Sequence, residues 1–217
     1  MTGPIPVDVE RLLWRLADQY APAEPTGPFM VRPSWFDHVG DLVVADGPVT
    51  WETPWRTDGG FEHDLAAGSH PVYVGGYALP GDRWDPDSFR YFASVVVVLV
   101  AEPARIEEAD WDVDCYDDVH QIEDVAVLWG EEAGRASGQY EYGVPSFMRD
   151  ARDRIASGGP LGRRHNWVEA VLDDQTGANG FVLPVETETV TGYEIVDEDE
   201  EVLCLVLVAC AWTNLWS

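Results

Sequence analysis

Nine carboxylates fall within residues 107–124 of this 217-residue chain: Glu107, Glu108, Asp110, Asp112, Asp114, Asp117, Asp118, Glu123 and Asp124. No basic residue lies between Arg105 and Arg135, so the run has no counter-charge of its own. Such a run predicts a docking surface for a cationic protein, because complementary potential speeds encounter and enforces specificity. Trp111 and Tyr116 lie inside it and supply aromatic anchors of the kind that dominate binding hot spots. The competing reading is a solvated acidic face without a partner, a common fate of charge runs.

Other chemistry is harder to build from these residues. Asp110, Asp112 and Asp114 copy the 1-3-5 spacing of a calcium loop, but Cys115 and Gln121 stand at the sixth and twelfth positions, where a Gly and a Glu are needed. Cys115, Asp117 and His120 form a mixed donor set whose spacing is not diagnostic of a transition metal. Cys115 as a nucleophile near His120 would be surrounded by carboxylates that suppress the thiolate. Ser69-His70 and Ser146 lack a G-x-S-x-G elbow, and no H-E-x-x-H pair occurs. The one tight basic cluster, Arg163-Arg164-His165, is expected to pair with the chain's own acids. The reading therefore assigns no catalytic residue, no metal ligand and no cofactor.

The whole composition points the same way. Asp and Glu total 40 against 13 basic residues, all arginine, for a net charge of −27. A P-loop is excluded without a lysine. Nucleic acid and anionic membrane surfaces would have to be bound against a repulsive field. The chain is nevertheless no disordered acidic tail, since it is 46% hydrophobic with 10 Trp. Its three cysteines, Cys115, Cys204 and Cys210, fit neither a disulfide framework nor a zinc site. The first residues lack a basic, apolar leader pattern, and the most apolar runs, 95–101 and 202–212, are shorter than the ~20 residues of a membrane helix. The expected compartment is the cytoplasm.

The elements that must position these groups are mostly β. Residues 7–20 predict a helix, with Val9, Leu12, Leu13 and Leu16 on one stripe and Asp8 and Glu10 at the favourable end of its dipole. A second helix is expected near 146–157, capped by Ser146, with Phe147, Met148, Ala151 and Ile155 on one side. Pro22, Pro25, Pro28 and Pro33 make 21–34 a connector. Strands are expected at 42–45, 49–51, 71–79, 89–100, 125–129, 167–172, 181–185, 192–196 and 202–212. The β-branched run 95–98 predicts a strand covered on both faces. Gly75-Gly76 reads as a bulge or a close approach, and the acidic residues 197–201 as a solvated link. The arrangement expected is α+β, mostly antiparallel, a sandwich or curled sheet. Residues 1–34 would form a helix and connector, and 35–217 a single β-rich domain.

Three segments carry a family resemblance. Asp173-Asp174-Gln175-Thr176-Gly177-Ala178-Asn179 resembles the D-x-x-T-G-A-N turn of the bacterial family catalogued as domain of unknown function 4241. Ala67-Gly68-Ser69-His70-Pro71-Val72 is similar to its Gly-x-Tyr-Pro-Val strand start, with His70 in place of the aromatic. Gly143 to Asp150 is similar to its Gly-x-x-x-Phe-Met-x-Asp helix start. The resemblance covers roughly residues 40–210 and implies a shared domain without an activity. The chain departs from the family where 186–191 and 197–201 are acidic rather than Gly-rich and aromatic. Independently of the family, Asp173 to Asn179 predicts an Asx-type turn with Gly177 at positive φ.

The function expected from these features is a soluble acidic binding protein that docks or neutralises a cationic protein. Its specific form would be an immunity-type protein against a basic toxin such as a nuclease. The alternatives are a carboxylate- or metal-dependent hydrolase and an acidic housekeeping domain of no catalytic activity, adapted or not to high salt.

Overall fold

The apolar stripe of residues 7–20 cannot stay in water, and the run 95–98 is apolar on both sides of its strand; each covers the other. A computed structural model describes residues 4–21, 32–45, 47–52, 61–80, 89–111, 120–121, 125–137, 150, 153, 167–185 and 189–210. Helix α1 (Val7–Tyr20) buries Val9, Leu12, Leu13, Leu16, Ala17 and Tyr20. They pack against Val95 and Val97 of β5 (Phe89–Leu99) and Cys204, Val206 and Val208 of β11 (Val202–Cys210). Val96 and Val98 point the other way, into the space between two sheets. The period-2 alternation of a strand is what lets one apolar run serve two cores.

The remaining strands are β1 (Trp35–Val44), β2 (Val49–Glu52), β3 (Phe61–His63), β4 (Gly68–Pro80), β6 (His120–Gln121), β7 (Val125–Gly130), β8 (Val168–Val171), β9 (Asn179–Pro184) and β10 (Thr189–Val196). Six form one sheet in the order β1-β4-β5-β11-β10-β6, and five form the other in the order β3-β2-β7-β9-β8. Every pairing described is antiparallel. The fold is therefore α+β, with two antiparallel sheets face to face. Trp51, Leu128, Phe181 and Leu183 of the five-stranded sheet meet Leu42, Val72, Val74, Leu205 and Leu207 of the six-stranded one. On the outer face of the five-stranded sheet, Val127, Trp129 and Val182 pack beneath Ala133 of α3 (Glu131–Ala136).

Several boundaries differ from those expected. Strand β1 begins at Trp35, not at residue 42, because Trp35 and Phe36 lie against the glycines of β4. The register slips between Gly75 and Gly76, and a Cβ on Gly75 would sit 2.7 Å from the Phe36 ring. Bulge and close approach are thus the same feature. Helices α2 (Pro103–Glu108) and α3 were not anticipated: each is six residues long, too short to display a 3.6-residue period. The helix expected at 146–157 lies outside the described residues save Asp150 and Asp153, both helical. The prolines of 22–31 lie outside them as well. Among the described residues no helix is long and apolar enough to cross a membrane.

The turn at 173–179 closes as its residue types predict. Asp173 accepts hydrogen bonds from the backbone N–H of Gln175 (3.1 Å) and Thr176 (3.2 Å) and from the Thr176 hydroxyl (2.6 Å). These donors, the hydroxyl foremost, hold its carboxyl below the usual range. Gly177 takes φ 78°.

Candidate functional site

The structure describes four of the eleven residues expected to dock a partner, and it divides them. Glu107 sits in the last turn of α2, facing α1. Arg11 approaches its Oε2 at 3.1 Å and its Oε1 at 3.3 Å, and Arg15 reaches Oε1 at 3.1 Å. The hydrogen bond from Arg11, reinforced by Arg15, holds the Glu107 carboxyl below the usual range. Trp111 donates its indole N–H to the Ile106 carbonyl (2.7 Å) and lies under the Arg15 guanidinium, 4.7 Å from the ring centroid. These two residues clamp α1 to α2. Glu108 and Asp110 stay exposed. Asp112, Asp114, Tyr116, Asp117, Asp118, Glu123 and Asp124 lie outside the described residues, as does Cys115. Of His120, only its backbone place in β6 is described.

A second acidic element lies at the other end of α2. Residues 197–201 turn β10 into β11, and Asp197 organises them. Its side chain accepts the backbone N–H groups of Asp199 and Glu201, each at 3.0 Å, and meets the Arg105 guanidinium. The Glu201 amide, then Asp199 and Arg105, keep its carboxyl below the usual range. Arg105 also approaches Glu201 at 3.5 Å. Glu200 closes the turn at φ 64°, a left-handed conformation that costs a residue with a Cβ about 1 kcal/mol. Replacing Glu200 with Gly should therefore raise the melting temperature by about 2 °C, strain relief slightly exceeding the entropy of the glycine. Calorimetry checks it; a lower melting temperature would mean that contacts of the Glu200 side chain outweigh its strain.

Between this turn and the β3–β4 connection runs a groove of about 1110 Å³. It follows one end of the six-stranded sheet, where β4 and β11 begin and β5 ends. Its lining includes Glu62 and Asp64 from the β3–β4 segment, Glu102 before α2, Glu194 of β10, and Glu200 and Glu201 of the β10–β11 turn. Arg105 is the one arginine among its described lining residues. His70, 7% exposed, donates from Nε2 to the Ala66 carbonyl (2.8 Å), so the neutral ring carries its lone pair on Nδ1. Tyr73 borders the groove, its phenol pKa raised by burial and by Asp41 and Asp8. His63, 1% exposed, holds Glu194 from below with Nδ1 to Oε1 at 2.6 Å. That contact joins β3 of one sheet to β10 of the other.

The polar residues among the groove's described lining, Arg105 aside, thus all carry hydrogen-bond acceptors, and they stand beside apolar residues of β5 and β11. Tyr73 is the single Phe, Trp or Tyr among its described lining residues. Among the described residues no group of three or more His, Cys, Asp or Glu side chains is placed to hold a metal ion. Cys204 is fully buried in the apolar layer beneath α1, where burial pushes its thiol pKa up and makes it inert. Reading along the chain misses this site because its walls come from segments as distant as 62 and 201. The one local signal was the five consecutive acids of 197–201, which read as a solvated link. No protein-family model, curated protein or solved structure matches the chain.

Proposed function

We propose that the protein is an acidic binding protein that docks a cationic protein partner, and that the groove beside α2 is where the partner sits. The observation that supports this most is the groove's lining: six carboxylates against one guanidinium, which is already engaged by Asp197 and Glu201. Low-dielectric walls lined by one sign of charge focus the field and raise the encounter rate of an opposite charge. The exposed Glu108 and Asp110 carry the same sign of potential at and just past the end of α2.

The specific form proposed is a cytoplasmic immunity-type protein that neutralises a basic toxin such as a nuclease. A surface that is acidic at −27 overall competes well for a site built to hold nucleic acid. The likeness of the 173–179 turn and the 67–72 strand start to domain of unknown function 4241 belongs to this proposal as its family assignment. Affinity capture from a bacterial lysate, with the full chain as bait at low and at moderate salt, tests it. The expected result is enrichment of a basic protein, released as ionic strength rises through the range where the Debye length falls to about 8 Å. Capture that is indifferent to salt, or that enriches no basic protein, would overturn it.

A further inference from the structure

We propose that Arg105 is an intramolecular latch: the chain's own guanidinium occupies groove acceptors that a cationic partner takes over on binding. This rests on the groove being the docking surface. Three observations carry it. Arg105 projects from α2 to the β10–β11 turn and lines the groove together with Glu201, which it approaches there, and it also pairs with Asp197 of that turn, outside the groove's lining. The groove therefore already accommodates one guanidinium, and its remaining described polar lining is carboxylate, hydroxyl and imidazole, able to accept from another. The acceptor is also independent of the latch. Glu201 sits on a turn that Asp197 holds through the amides of Asp199 and Glu201, so the turn stays in place when the guanidinium leaves. Arg105 itself is 53% exposed and Glu201 73%, so this contact exchanges readily with solvent or with a competing donor.

A latch of this kind makes an unusual prediction of sign: removing a side chain from the binding site strengthens binding. The probe is a fluorescent nona-arginine peptide, titrated by anisotropy against the full chain at two salt concentrations. Arg105→Gln should bind it about 5-fold more tightly than the unmodified chain at low salt, because a competing cation is gone and Glu201 is released. Arg135→Gln, which makes the same change in net charge on α3 where Arg135 pairs with Glu131, should change affinity less than about 2-fold. Arg105→Lys keeps the charge and should stay near the unmodified chain. All three should melt near it, since the side chains replaced are exposed. If Arg105→Gln binds no more tightly than Arg135→Gln while the unmodified chain still binds in a salt-sensitive way, the latch is refuted and the docking groove stands. If the unmodified chain binds the peptide at neither salt, both fall.

Discussion

Replacing Asn179 with alanine should cost about 3 kcal/mol of folding free energy and lower the melting temperature by about 6–12 °C. Asn179 is 2% exposed and makes three hydrogen bonds, two of them across the sandwich and one to the neighbouring strand of its own sheet. Its Oδ1 accepts the Val43 backbone N–H at 2.8 Å, and its Nδ2 donates to the Asp41 carbonyl at 2.9 Å and to Glu169 Oε1 at 3.0 Å. Asp41 and Val43 belong to β1 in one sheet, Asn179 and Glu169 to β9 and β8 in the other. Apolar packing holds the sheets together but does not set their register. This amide does, just past the irregularity in β1 between His38 and Gly40. Alanine leaves the Val43 N–H and the Asp41 carbonyl, both in part-buried hydrogen bonds, without their partner, and an orphaned group shielded from water costs more than a hydrogen bond gains. Asn179→Asp should be at least as damaging, because it loses both donated bonds and sets a second carboxylate against Glu169. Urea unfolding measures both; losses under about 1 kcal/mol would show that β1 finds its register without Asn179.

Neutralising the open rim of the groove should weaken binding of a cationic partner about 30-fold at low salt and much less at high salt. The variant is Glu62→Gln, Asp64→Asn and Glu102→Gln together. All three residues are exposed, so the fold should be unaffected. Glu194 and Asp197 are left alone because each also holds structure, Glu194 through His63 and Asp197 through its turn. The comparison is Glu108→Gln with Asp110→Asn, both exposed among the described residues of the 107–124 run. Surface titration with the captured partner or with nona-arginine separates the two surfaces. A larger loss from the second variant would move the docking site back to that run.

The distinction between those surfaces shows where reading along the chain stops. The 107–124 run appears uncompensated because its neighbours in sequence carry no arginine. In the fold, Arg11 and Arg15 arrive from α1, 96 residues before Glu107 in the case of Arg11. They engage Glu107 and Trp111 in a contact between α1 and α2. Conversely, Glu62 and Asp64 drew no attention, since two acids in a loop-rich stretch have no pattern. They become part of a site only when the β3–β4 connection passes over the sheet end that bears 200–203.

Some features needed nothing beyond local physics. The α1 stripe, the two-sided burial of 95–98 and the 173–179 turn were legible because a few adjacent side chains settle each one. Helical spacing, a β-branched run, and an Asp four residues before a Gly that tolerates positive φ are all short-range signals. The net charge of −27, the absence of lysine and the repulsive field that an anionic partner would meet likewise follow from composition alone, because summed charge acts over distance whatever the fold. Which carboxylates are spent and which are open was decided only by the tertiary structure. An ion pair depends on separations of a few ångströms, and those separations are created by strand order and helix docking rather than by position in the chain.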